Sequence, residues 1–192
     1  MTMNGKILTI SAHPDDWELG CAGTIERLKR EGCECNHAVL GLGRGAETDN
    51  KFDSLPLLHW VRQVELHIAI HKPDIILTHY AHDLNIDHRI TYQAVITAAR
   101  PLPNRCFKEI YSFEVLSSTE WSDIPFKPDM FVALTLDDME TKEKILRDGY
   151  DSEMRDIPHA RSYQAVESLA MVRGMTVGVK YAEAFQTVRR II

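Results

Sequence analysis

Short apolar runs alternate along this chain with longer segments that repeat their apolar residues at helical spacing. The apolar runs predict strands at 6–12, 35–42, 74–80, 109–115 and 130–136. The longer segments predict helices at 15–31, 57–71, 88–99, 137–149, 161–173 and 180–190. Strands that alternate with helices are typical of a layered α/β domain, so this order predicts a mostly parallel sheet. Because no linker interrupts the pattern, we expect one domain over 1–192.

The composition excludes several classes of protein. Of the 192 residues, 44% are hydrophobic and 26% are charged, and the net charge of −6 argues against binding nucleic acid or an anionic membrane. No apolar run approaches the ~18 residues that cross a bilayer, and the first ten residues lack the layout of a signal peptide. The four cysteines form no paired motif, which predicts reduced thiols. We therefore expect a cytoplasmic protein without a membrane span.

Acidic residues and histidines follow two of the predicted strands at the point where each strand ends. The first strand leads directly into His13-Pro14-Asp15-Asp16, and "THYAHDLNIDHR" (78–89) follows the end of another. Ligands of open parallel sheets bind outside the carboxyl ends of the strands. The two polar loops are therefore expected to meet at one edge of the sheet.

Together the two loops contain the ligand set of a catalytic zinc site. Zinc is well held by imidazole and carboxylate, and a catalytic site uses three protein ligands, which His13, Asp16 and His88 could supply. Asp15 would then lie beside the metal, where a general base is needed. Iron(II) would accept the same ligands. The alternative is that the aspartates only cap a helix and the histidines are ordinary surface residues.

Two motifs resemble those of a known family. "AHPDDWELGCAGT" resembles the signature of the LmbE-like, or PIG-L-like, zinc-dependent de-N-acetylases, and "DLNIDHR" resembles their second motif. Later blocks, including "SEMRDIPHARS" and "YAEAF", are similar to a branch associated with surface-polysaccharide biosynthesis. The resemblance implies a Rossmann-like three-layer fold and zinc-dependent removal of an acetyl group from an N-acetylated amino sugar that is nucleotide-, lipid- or glycan-linked. It also implies a homo-oligomer, with His13, Asp16 and His88 as zinc ligands and Asp15 as the base.

The second motif departs from the family pattern. Many relatives have a histidine where this chain has Asn85, and that histidine is thought to steady the oxyanion. Asn85 can donate a hydrogen bond but cannot carry a charge, so His82 and His159 are alternative candidates for this role. Asp87 is a candidate for orienting His88 or a neighbouring group.

A second departure affects the substrate. A helix and strand expected after "GLGRGAE" have no counterpart near 45–50. The candidate substrate-binding residues are Arg44, Trp17, Arg155 and Arg161. The last two lie with His159 in a polar stretch before a predicted helix, where a phosphate could bind. A charged turn is the alternative.

Two other functions are compatible with the same sequence. One is a zinc-holding pseudoenzyme or sugar-binding protein, in which Asn85 and the shortened segment near 45–50 have abolished catalysis. The other is a metal-free nucleotide-binding protein. Asp15 and Asp16 would repel a pyrophosphate, and a pure binding site has no need of a base such as Asp15, so hydrolysis is favoured.

Overall fold

The computed structural model describes residues 5–42, 50–103 and 107–191. The strands are β1 Lys6–Ser11, β2 Glu34–Val39, β3 Ile75–His79, β4 Glu109–Phe113, β5 Met130–Leu134 and β6 Tyr181–Arg190. The helices are α1 Asp16–Arg30, α2 Leu57–His71, α3 Ile86–Ala98, α4 Leu136–Tyr150 and α5 Tyr163–Thr176. None of these helices is both long enough and apolar enough to cross a membrane. The segment near 45–50, where a helix and strand were expected, lies almost wholly outside the described residues.

The strands form one six-stranded sheet in the order β2-β1-β3-β4-β6-β5. β2, β1, β3 and β4 pair in parallel, whereas β6 is antiparallel to both of its neighbours. The predicted α/β fold with a mostly parallel sheet is therefore confirmed.

Helices cover both faces of the sheet because alternate residues of each strand point to opposite sides. Leu8 of β1 belongs to a core that includes Trp60 of α2 and Val95 of α3. Its neighbour Ile7 belongs to a second core with residues of α1, α4 and α5. These two cores make the three layers, and they leave the loops after β1 and β3 at the carboxyl edge of the parallel strands.

The helix predicted at 180–190 is wrong, because this segment is the strand β6. Its alanines and glutamate favour a helix locally, but β4 and β5 pair with it on its two sides. Successive residues of a strand point to opposite faces of the sheet, and both faces of β6 are covered here. Phe185 joins the second core, and its neighbour Ala184 is also buried. Gly178, at φ +78°, allows the turn that separates β6 from α5.

Candidate metal centre

His13 and Asp16 are held together where β1 passes into α1. The His13 backbone N–H donates to Asp16 Oδ2 at 2.6 Å, and His13 Nδ1 lies 3.4 Å from the same oxygen. Asp16 is fully buried in the first turn of α1. Asp15 precedes that turn, but its side chain makes no capping hydrogen bond, so capping does not explain this carboxylate.

His88 reaches the same point from the first turn of α3. Asn85 begins that helix, because its side-chain oxygen accepts the backbone N–H of Asp87 at 2.8 Å. His88 Nε2 lies 3.1 Å from Asp16 Oδ1 and 3.3 Å from His13 Nδ1. One ligand atom from each of His13, Asp16 and His88 lies within 4.8 Å of the others. The two polar loops therefore meet at one edge of the sheet.

A buried carboxylate holds the remote nitrogen of each histidine. Asp83 Oδ1 is 3.2 Å from His88 Nδ1, and Asp87 Oδ2 is 3.1 Å from His13 Nε2. Carboxylates in this position fix the orientation of an imidazole and raise its basicity as a metal ligand. Asp87 thus faces His13, and Asp83, for which the sequence predicted no role, faces His88.

The two carboxylates are themselves held by different partners. Asp83 accepts hydrogen bonds from the hydroxyls of Ser118 and Thr119 in the loop after β4, and from the Asn85 backbone N–H at 2.9 Å. Asp87 Oδ1 accepts the backbone N–H of Phe52 at 3.1 Å. Both carboxylates are fully buried, so these bonds compensate for their loss of water.

His79, the last residue of β3, is a further imidazole in the cluster. Its Nε2 accepts the Ala12 backbone N–H at 2.9 Å and lies 3.2 Å from Asp16 Oδ2, and its ring stacks on that of His88 at 3.9 Å. Burial lowers the pKa of His79 to about 4, so the ring is neutral at pH 7. A histidine within the apolar run "DIILTHY" was the signal that could have identified it.

The residues present fit a divalent metal ion. Asp16 Oδ1 is buried and makes no hydrogen bond to any described residue, although His88 Nε2 lies near it. Burial would raise the pKa of Asp16, but His88 and His79 hold it well below its usual range, so the group stays ionised. Burial likewise opposes a charge on His88, yet Asp16 and Asp83 raise its pKa to about 10. Imidazole and carboxylate donors are the ligands that zinc accepts.

An open cavity of about 360 Å³ lies beside the cluster. Its described lining is His13, Pro14, Asp15, Gly41, Leu42, Tyr150, Glu153 and Arg161. Arg161 Nη1 lies 2.8 Å from Asp15 Oδ2, and Arg161 Nε donates to Ser117 Oγ at 3.1 Å. Burial and the neighbouring Asp16 raise the pKa of Asp15, while Arg161 opposes that rise. The cavity thus presents a carboxylate and a guanidinium beside the candidate ligands.

Tyr150, at the end of α4, supports the first motif from a distant part of the chain. Its hydroxyl reaches the Pro14 carbonyl at 3.0 Å and Glu18 Oε1 at 2.9 Å. Burial raises the pKa of Glu18 to about 8. The sequence did not identify Tyr150 or Glu153 as cavity residues, although Glu153 lies in the block "SEMRDIPHARS" that also contains Arg161.

The three candidates for steadying an oxyanion lie in different surroundings. Asn85 uses its side-chain oxygen to cap α3. His82 is exposed, packs edge-on against Tyr80 and borders a separate groove with Tyr92 and Lys127. His159 is exposed, and its Nδ1 accepts the Arg161 backbone N–H at 2.9 Å.

Of the candidate substrate-binding residues that the structure describes, only Arg161 lines the cavity. Trp17 instead stacks on His37 of β2 at 3.9 Å. Arg155 is exposed and donates to the carbonyls of Ser152 and Met154. Arg44 lies outside the described residues.

Comparison with known proteins agrees with the motifs. The family model described as PIG-L, GlcNAc-PI de-N-acetylase, matches residues 8–70. A curated protein of Escherichia coli (strain K12), named "uncharacterized deacetylase YaiS", is 28% identical over 157 residues, which cover 65% of this chain and 80% of that protein.

Two solved structures share the fold over almost the whole chain. The N,N′-diacetylchitobiose deacetylase of Pyrococcus horikoshii has a TM-score of 0.72 and 21% identity, and covers 96% of this chain and 84% of its own. The 4-carboxy-2-hydroxymuconate hydratase GalB of Pseudomonas putida KT2440 has a TM-score of 0.75 and 16% identity, and covers 99% of this chain and 98% of its own. The resemblance to the LmbE-like, PIG-L-like family that the two motifs predicted is therefore confirmed: residues 8–70 match its model, and deacetylase structures share the fold.

Proposed function

We propose that this protein is a metal-dependent hydrolase that removes the acetyl group from an N-acetylated amino sugar. The observation that carries the proposal is the convergence of His13, Asp16 and His88, with the remote nitrogen of each histidine on a buried carboxylate. Asp15 lines the cavity next to these ligands, which is the position that a general base requires.

The chain's own residues would perform the proton transfers. His13, Asp16 and His88 would hold zinc, with iron(II) as an alternative, and the metal would supply Lewis-acid polarisation and a more acidic water. Asp15 would accept a proton from the attacking water and return it to the leaving nitrogen, so that amide and water yield acetate and a free amine. Arg161 would hold the Asp15 carboxylate in the cavity through their 2.8 Å contact.

The substrate class is supported by the relatives and by the cavity. The family model and the Pyrococcus horikoshii enzyme are both named for deacetylation of N-acetylated sugars. The exposed Glu153 carboxylate and the Tyr150 ring suit sugar hydroxyls and an apolar sugar face. We therefore propose an acetylated amino sugar and leave its carrier to the assay.

The test is zinc content and acetate release by three versions of the protein. Wild type, Asp15→Asn and His88→Ala are compared by elemental mass spectrometry. Acetate is then measured with N,N′-diacetylchitobiose, a nucleotide-linked N-acetylglucosamine and N-acetylglucosaminyl phosphatidylinositol. We expect about one zinc per wild-type chain and acetate from one of these substrates. Asp15→Asn should keep zinc and lose at least about a hundredfold in rate, whereas His88→Ala should lose both.

Two results would contradict the proposal. Full activity of Asp15→Asn would remove the assigned base. Binding of zinc and sugar without acetate release from any substrate would favour the sugar-binding alternative.

Hydration of an unsaturated carboxylate is a second candidate function. GalB shares this fold and is named as a hydratase, and Arg161 places a guanidinium in the cavity, where a carboxylate could bind. Incubating the zinc-loaded protein with an unsaturated dicarboxylate and following loss of its ultraviolet absorbance separates the two functions.

A further inference from the structure

Helix α1, which carries Asp16, is broken one turn after it begins. Cys21 has the non-helical angles φ −149° and ψ 17°, so α1 consists of a short first part up to Gly20 and a longer second part. The break is pressed against the sheet. A Cβ at Gly20 would lie 2.4 Å from the Phe113 ring, and one at Gly23 would lie 2.7 Å from Leu134.

A buried ion pair is inserted at this break. In a regular α-helix the Leu19 carbonyl would accept the Gly23 N–H. Here Lys142 Nζ of α4 donates to the Leu19 carbonyl at 2.7 Å, and Glu183 Oε1 of β6 accepts the Gly23 N–H at 3.1 Å. Lys142 and Glu183 contact each other at 2.6 Å. The ion pair thus bridges two backbone groups that an unbroken helix would join directly.

The charges match the two helix ends that the break creates. The Glu183 carboxylate also accepts the Thr24 N–H at 2.7 Å, so it lies at the N-terminus of the second part. Lys142 lies at the C-terminus of the first part, and each charge is therefore on the side that the helix dipole favours. Lys142 is 4% exposed and Glu183 is 5% exposed, and burial of an ion pair gives little net stability compared with apolar residues of similar volume.

We propose that the Lys142–Glu183 pair positions the candidate metal ligand Asp16 by keeping α1 broken. Leu19, which Lys142 holds, lies three residues after Asp16, so the pair fixes the short part of the helix that carries the ligand. Without the pair, the Leu19 carbonyl and Gly23 N–H can bond to each other, and α1 can straighten and turn Asp16 away from His13 and His88. The inference rests on the proposed metal site.

The test compares the double variant Lys142→Met/Glu183→Leu with the wild type. The apolar pair fills the same space, and Arg173→Met/Glu114→Leu is the matched control. It removes a second ion pair, with contacts of 2.8 and 2.6 Å, whose side chains make no described hydrogen bond to the α1 backbone. Zinc affinity is measured by competition with a chromophoric chelator, and the Cα chemical shift of Cys21 reports whether α1 has straightened.

We expect the dissociation constant for zinc to rise about tenfold in the double variant, the Cys21 shift to become helical, and neither to change in the control. A folded double variant with wild-type zinc affinity would show that the pair is only structural and would overturn the inference. If the double variant does not fold, Glu183→Gln decides, because it keeps the volume and one acceptor but removes the charge. We expect the zinc dissociation constant of Glu183→Gln to rise at least threefold, and a wild-type zinc affinity in this variant would overturn the inference. A wild-type protein that binds no zinc overturns the proposed function, and this inference with it.

Discussion

The two histidines of the candidate metal centre are supported in contrasting ways. On the inner side, His88 is 2% exposed and faces Asp83, which the hydroxyls of Ser118 and Thr119 hold. On the outer side, the His13 side chain is 13% exposed and faces the cavity and Asp87. Asp87 depends on the Phe52 backbone N–H, and Trp60 Nε1 donates to the Phe52 carbonyl at 3.0 Å.

In the proposed enzyme, this difference would separate metal binding from contact with the substrate. The inner side is closed and held by side chains, so it can fix one donor rigidly. The outer side places a second donor next to Asp15, where a substrate in the cavity would touch it. We infer that changes on the inner side mainly affect metal affinity and stability, whereas changes on the outer side also affect catalysis.

The largest effect is expected from removing the histidines themselves. His88→Ala and His13→Ala should each weaken zinc binding by about a thousandfold or more, because a three-ligand site loses one donor. In the metal-free proteins, His88→Ala should lower the free energy of unfolding by on the order of 3 kcal/mol, since Asp16 and Asp83 remain buried without it. His13→Ala should cost less, because water can enter from the cavity. Chelator competition measures the zinc affinity, and urea unfolding measures the free energy of unfolding. An equal loss of stability in His88→Ala and His13→Ala would contradict the difference between the inner and outer sides.

A smaller effect is expected from the two orienting carboxylates. Asp83→Ala and Asp87→Ala should each weaken zinc binding by roughly 10- to 100-fold. Asp83→Ala should also lower the melting temperature more, because it leaves Ser118, Thr119 and the Asn85 N–H without their buried acceptor. Asp87→Ala should instead show the larger fall in kcat when both variants are saturated with zinc. The reverse order in either measurement would contradict the division into two sides.

The sequence could predict the candidate ligands of the site but not most of the groups that support them. The candidate ligands and Asp15 lie in two short motifs at strand ends, and the parallel topology alone brings those motifs together. The group that holds Asp87 could not be predicted in this way, because Phe52 contributes a backbone N–H that any residue other than proline possesses. Tyr150 and the Lys142–Glu183 pair come from α4 and β6, which tertiary packing brings to α1.

One element of the fold was predicted wrongly for a related reason. Local patterns were sufficient for the parallel strands and for α1 to α5, each within a few residues of its observed bounds. β6 was predicted as a helix because Ala182, Glu183 and Ala184 favour one locally, and only pairing with β4 and β5 makes the segment a strand. At the site, the sequence selected Asn85 as a candidate hydrogen-bond donor, and the structure adds that its side-chain oxygen caps α3.

The smallest effect is expected from Trp60→Phe, which tests whether the outer side extends into α2. The change keeps a ring against Phe52, which Trp60 stacks on at 3.8 Å, but removes the hydrogen bond to the Phe52 carbonyl. We expect the free energy of unfolding to fall by about 1–2 kcal/mol. The zinc dissociation constant should rise by less than about threefold, because the Phe52 N–H still reaches Asp87. Trp121→Phe, at an exposed tryptophan, is the control and should change stability by about 0.5 kcal/mol or less. If Trp60→Phe weakened zinc binding as much as Asp87→Ala, the position of Phe52 rather than its N–H alone would hold the outer histidine, and α2 would belong to the metal centre.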